Sequence, residues 1–139
     1  CWNNQLTSLP LFPKLDCLYC EGNMLTSIPM YPELIELMCQ NNQLTSLPMY
    51  PKLYLLDCSN NMLDTILMYP SLRELTCSDN RLTTIPMMPS LNYLVCSNNR
   101  ITFIPDMPLL KTLICDNNQL TSLGNFPNVI ELDTFNNLF

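Results

Sequence analysis

One asparagine recurs eight times at an unbroken interval of 19 residues: Asn4, Asn23, Asn42, Asn61, Asn80, Asn99, Asn118 and Asn137. A period held without insertion along the whole chain requires stacked units, each burying its apolar side against its neighbours. It excludes a conventional globular core. Such an array displays a surface and seldom encloses a catalytic pocket.

Other residues fall into columns on the same frame, which reads L-x-x-L-x-C-x-x-N-x-L-T-S-L-P-x-x-P-x. The first Leu recurs as Leu15, Leu34, Leu53, Leu72, Leu91 and Leu110, then Val129. The second recurs as Leu18, Leu37, Leu56, Leu75, Leu94, Leu113 and Leu132. Cysteine follows as Cys1, Cys20, Cys39, Cys58, Cys77, Cys96 and Cys115, and Thr134 closes the column. Leu-x-Cys with variable residues between is the period-two pattern of a short strand with one buried face. No helix-length amphipathic stretch intervenes, so the strands should stack as a parallel ladder about 4.8 Å apart. The Asn sits where each strand ends and the chain turns inward. Its amide can donate to and accept from buried loop backbone of its own and adjacent units, which is a structural role.

The pattern L-x-x-L-x-C-x-x-N-x-L resembles the leucine-rich repeat family, with Cys in the third leucine slot, and the match recurs in every unit. The tail Leu47-Pro48-x-x-Pro51 is similar to the short repeats of secreted effectors of enteric pathogens and of large DNA viruses. That class usually has one residue more per unit. The resemblance implies a single leucine-rich-repeat domain over residues 1–139. Partial units at 1–14 and 129–139 flank repeats 15–33, 34–52, 53–71, 72–90, 91–109 and 110–128.

The expected fold is a right-handed LRR solenoid. It has a parallel β-sheet on the concave face, extended or polyproline-like turns on the convex face, and little or no α-helix. Two prolines per unit exclude a helix from the return segment. The unbroken proline column is Pro13, Pro32, Pro51, Pro70, Pro89, Pro108 and Pro127. Phe12, Tyr31, Tyr50, Tyr69, Met88, Met107 and Phe126 precede it and are expected to plug the core from behind. A back so thin predicts weak curvature. Loss of the other proline at Leu67 and Gly124 is expected to loosen those turns.

No apolar run is long enough to span a bilayer, and no signal peptide is recognisable. The chain opens at Cys1 in mid-strand and stops at Phe139 inside a turn, which predicts an excerpt or a processed fragment of something longer. Eight cysteines could suggest disulfides. Seven of them share one inward column, however, where parallel Cβ vectors at strand spacing fit disulfide geometry poorly. Free packing thiols are expected instead, and with them a reducing, intracellular location, which could be the inside of a host cell.

The sequence has no His, which removes Ser-His and Cys-His nucleophile pairs and the commonest transition-metal ligand. Cys17 and Cys20 form a lone C-x-x-C whose side chains should point to opposite faces of a strand. Four thiolates in a line cannot surround a metal ion tetrahedrally. No glycine-rich phosphate loop exists, since Gly22 and Gly124 are the only glycines. The reading is therefore non-enzymatic, with no cofactor and no metal. Some effectors of the family use such arrays to recruit substrates for a separate ligase domain, which has no counterpart in this sequence.

Three outward columns are expected on the strands. The first is Cys17, Glu36, Leu55, Glu74, Tyr93, Thr112 and Glu131. The second is Tyr19, Met38, Asp57, Thr76, Val95, Ile114 and Asp133. The third is Trp2, Glu21, Gln40, Ser59, Ser78, Ser97, Asp116 and Phe135. Together they hold the acids Glu21, Glu36, Asp57, Glu74, Asp116, Glu131 and Asp133 and no Lys or Arg. The first two columns are the candidate binding face, for a protein or peptide partner with basic and apolar side chains. Apolar patches lie around Met38 and Leu55 and around Tyr93, Val95 and Ile114. Without a basic stripe, nucleic acid is not an expected partner, and neither is a membrane. A bland reading, in which these residues only keep an exposed sheet soluble, stays open. So does self-association through uncapped ends near Trp2 and near Phe135, Leu138 and Phe139, which could propagate head to tail into a filament. A third alternative is the substrate-recognition part of a longer effector.

Overall fold

The structure is a computed structural model describing residues 1–139. Each Leu-x-Cys motif contributes a strand three residues long: β1 Cys17–Tyr19, β2 Glu36–Met38, β3 Leu55–Asp57, β4 Glu74–Thr76, β5 Tyr93–Val95, β7 Thr112–Ile114 and β9 Glu131–Asp133. They form one seven-stranded sheet in chain order. Every pairing is parallel and in repeat register, as in Leu37 opposite Leu56 and Leu56 opposite Leu75. The ladder outruns the strands: the Ile35 N–H donates to the Asp16 carbonyl at 2.7 Å, and the Cys39 N–H to the Asp57 carbonyl at 2.8 Å. The chain is a parallel β-solenoid without a helix.

The core is the sum of the columns. The second leucines from Leu18 to Leu113, and the cysteines from Cys20 to Cys115, are buried. Burying one leucine contributes roughly 1.5–3 kcal/mol, and stacking repeats that gain in every coil. All eight cysteines are free, and only Cys1 and Cys17 reach the surface. Burial pushes the Cys20 and Cys115 thiols up to about 12, because a thiolate there would lose its hydration. The same cause raises Cys39, Cys58, Cys77 and Cys96. These thiols are packing groups held protonated.

The asparagine column bonds as expected. In the third full unit, Asn61 Nδ2 donates to the Cys39 carbonyl at 3.0 Å and the Cys58 carbonyl at 3.1 Å, and Asn61 Oδ1 accepts the Leu44 N–H at 2.9 Å. One side chain therefore closes its own turn and ties it to the preceding coil. The pattern repeats through Asn137. Asn4 reaches only its own turn, at Trp2 and Cys1.

A further column was not singled out from the sequence. Asn3, Gly22, Asn41, Asn60, Asp79, Asn98, Asn117 and Asn136 all adopt φ between 52° and 65°. Asn, Asp and Gly tolerate this left-handed region, whereas Cβ sterics penalise most residues there. The conformation turns each N–H along the stack: Asn60 donates to Ser78 O at 2.9 Å and Asp79 to Ser97 O at 3.0 Å.

On the back, each proline of the unbroken column follows the first residue of a turn. The Leu34 N–H closes on the Tyr31 carbonyl and the Leu53 N–H on Tyr50, both at 3.2 Å. Proline suits the second position of such a turn because its φ is preset. Tyr31, Tyr50, Tyr69, Met88 and Met107 are buried plugs, as expected. The tyrosines add bonds: their hydroxyls donate to the Pro10, Pro29 and Pro48 carbonyls at 2.8, 3.2 and 3.1 Å. Phe12 does not plug the core, and Phe126 is only half-buried, because no coil covers them on one side. Leu132 differs from the other second leucines for the same reason and is exposed.

The return segments are extended, but not everywhere isolated. β6 Phe103–Ile104 and β8 Ser122–Leu123 pair in parallel as a second, two-stranded sheet. Proline has no N–H to give at Pro29, Pro48, Pro86 and Pro105. Gly124 fills that slot instead, and its N–H donates to the Ile104 carbonyl at 2.8 Å. Losing proline there tightens the back where loosening was expected.

Candidate interaction surface

The strand pleat decides which side chains face out. With the central leucine of each strand inward, its two neighbours point away from the core. All twelve candidate residues occupy those positions: Glu36 and Met38 on β2, Leu55 and Asp57 on β3, Glu74 and Thr76 on β4, Tyr93 and Val95 on β5, Thr112 and Ile114 on β7, and Glu131 and Asp133 on β9. Register aligns them into two rows, one running Glu36, Leu55, Glu74, Tyr93, Thr112, Glu131, the other Met38, Asp57, Thr76, Val95, Ile114, Asp133.

The acids in these rows are not equivalent. Tyr19 Oη donates to Glu36 Oε2 at 2.6 Å, a bond to the carboxylate that raises the phenol to about 12. Asp57 and Asp133 cap the N–H groups of Ser59 and Phe135, both at 3.0 Å. Thr112 Oγ1 donates to Glu131 Oε2 at 3.1 Å. Glu74 has no protein partner, is exposed, and lies in register between Leu55 and Tyr93. It is the free anion of the face.

Between its exposed ends, Trp2 and Phe135, the third column sinks toward the core. Glu21, Gln40, Ser59, Ser78 and Asp116 are half-buried and Ser97 is buried. Glu21 Oε2, Gln40 Oε1, Ser59 Oγ and Ser78 Oγ are enclosed without a protein partner, and Ser97 Oγ donates to Asp116. These side chains fold in at the strand exit because the chain is already turning toward its left-handed residue. Cys17 and Cys20 fall on opposite faces, half-buried and buried. No cluster of three or more Cys, Asp or Glu is placed to hold a metal ion, and no helix is long and apolar enough to cross a membrane.

A stack of parallel three-residue strands closed by an asparagine ladder defines a class of protein, the parallel β-solenoids. The family model "Leucine Rich repeats (2 copies)" matches residues 70–109, and the fold matches that of leucine-rich-repeat proteins. Among solved structures it is similar to YopM from Yersinia enterocolitica, at 28% identity and a TM-score of 0.78, covering 96% of this chain and 36% of that one. It is similar to YopM of Yersinia pestis, described as a leucine-rich effector protein, at 29% identity and a TM-score of 0.73, covering 90% and 44%. InlJ of Listeria monocytogenes, whose functional domain includes a cysteine ladder, matches at 26% identity and a TM-score of 0.70, covering 90% and 35%. The chain thus spans less than half the length of each of these proteins. No curated protein sequence matches it. In general terms the fold makes the chain a protein-interaction module.

Proposed function

We propose that the outer face of the long sheet binds a protein or peptide whose exposed strand alternates basic and apolar side chains. The observation that carries this is Glu74, an exposed and unpartnered carboxylate flanked in register by Leu55 and Tyr93. A cation meeting Glu74 would gain a charge pair at the centre of the face, while apolar neighbours would cover Leu55 and Tyr93. On this reading the chain is non-catalytic. The likeness to an effector protein of Yersinia pestis supports placing the face within a longer effector, and the free thiols support a reducing compartment as its place of work.

The test is titration calorimetry with a peptide alternating Lys and Leu and a control alternating Glu and Leu. Glu74→Lys should weaken the first by about tenfold, the worth of one lost charge pair at a partly desolvated interface. The triple change Glu36→Lys, Asp57→Lys and Glu74→Lys should abolish it. Equal binding of both peptides, or unchanged affinity in the triple variant, would remove the proposal.

A further inference from the structure

A surface groove of about 500 Å³ lies at the margin of the sheet where the chain enters its strands, lined by Arg73, Asn92, Leu109, Lys111, Asn128 and Ile130. Arg73, Asn92 and Lys111 are successive rungs of one ladder: the Asn92 N–H donates to the Arg73 carbonyl at 2.9 Å, and the Lys111 N–H to the Asn92 carbonyl at 2.8 Å. Two strand spacings put the outer rungs about 10 Å apart. Their long side chains can converge over the Asn92 amide.

Charge sets this groove apart from a second, separate one on the same margin. That one carries Lys14 and Lys52 against Asp16 and Glu33, and Lys52 pairs with Glu33 at 2.5 Å. Around Arg73 and Lys111 no carboxylate lines the wall, so two cations stand unpaired in a chain of net charge −6. The half-buried Asn92 amide makes no hydrogen bond to protein. Asn128 Nδ2 donates to the Pro108 carbonyl at 2.7 Å and keeps its second N–H. Leu109 and Ile130 supply apolar walls.

We propose that the groove around Arg73 and Lys111 binds a doubly charged oxyanion of the phosphomonoester type. The Arg73 guanidinium is a planar fork suited to two oxygens, Lys111 adds a point charge, and the Asn92 and Asn128 amides donate to the remaining oxygen. A monocarboxylate would neutralise only one of the two cations. The volume exceeds that of a phosphate group, which leaves room for the ester substituent against Leu109 and Ile130. A phosphorylated side chain of a partner and a free phosphorylated small molecule present the same chemistry.

The experiment titrates the full chain with inorganic phosphate, phenyl phosphate, a phosphoserine peptide and acetate, followed by amide NMR shifts. Saturable shifts at Asn92 and Lys111 are expected for the phosphate compounds, with acetate at least about tenfold weaker. Arg73→Gln and Lys111→Gln should each weaken phenyl phosphate by about tenfold, a factor in keeping with one charge-assisted bond. Arg81→Gln, beyond the far end of the strand, should leave it unchanged. A peptide tighter than phenyl phosphate assigns the site to a phosphorylated partner, and the reverse order assigns it to a small molecule; both uphold it. No saturable shift, or an Arg81→Gln loss equal to that of Arg73→Gln, overturns it.

Discussion

Asn61 and Leu44 are joined across a repeat boundary: the Asn61 Oδ1 accepts the Leu44 N–H at 2.9 Å, inside the protein. The same amide holds the Cys39 and Cys58 carbonyls. Backbone that would otherwise be buried without partners is satisfied by one side chain from the next coil. Asn61→Ala should therefore cost about 3 kcal/mol, since several buried groups lose partners at about 1–3 kcal/mol each. Asn4→Ala, at an exposed site reaching only its own turn, should cost well under about 1 kcal/mol. Urea unfolding of both variants checks the contrast, and equal losses would count against the ladder.

The left-handed column makes a second contrast. Asn98 sits at φ 55°. Asn98→Gly should shift stability by only a few tenths of a kcal/mol, because Gly tolerates this region. Asn98→Val should lose about 1–2 kcal/mol from the Cβ clash. Thermal melts of the two variants decide it.

Gly124 is required by close approach. A Cβ there would meet the Asp106 nitrogen and the Pro105 carbonyl carbon at 2.6 Å. Gly124→Ala is expected to cost about 1–3 kcal/mol as overpacking against backbone. Gly124→Pro, which restores the consensus residue, should also destabilise, because the bond from Gly124 to Ile104 is lost. A more stable Gly124→Pro protein would contradict the role given to β8.

The thiols predict a pH dependence. Their folded pKa values lie above the ordinary 9.0, so the unfolded chain releases its protons first. The stabilisation is complete below pH 9 and is lost as pH rises toward the folded values, about 12 for Cys20 and Cys115. Each fully shielded thiol should cost about 1.4 kcal/mol per pH unit in that window. Urea midpoints should hold steady up to pH 8 and then fall, with a shallower slope in Cys58→Val. In the native protein at pH 8 an alkylating reagent should modify Cys1 and Cys17, the two thiols that reach solvent, and should spare the rest until unfolding.

Much of this was legible in the sequence because the physics is periodic. A fixed interval forces like side chains into columns, so the Leu, Cys and Asn roles, the parallel ladder and the two outward rows followed from spacing alone. The left-handed column could have been read from its restriction to Asn, Asp and Gly at positions such as Asn60, Asp79 and Gly22. The Tyr69 bond to Pro48 had no such signal, since a tyrosine and a methionine fill the same slot.

What tertiary structure alone decided depends on the third dimension of the stack. It turned the third column inward at Ser97, left Glu74 as the free acid while Tyr19 took Glu36, and brought Leu109 and Asn128 from the return segments against the column of Arg73, Asn92 and Lys111. Periodicity tells which residues share a column. It does not tell how neighbouring columns lean on one another, because that follows from backbone turns, and one of those turns is a left-handed residue in every coil.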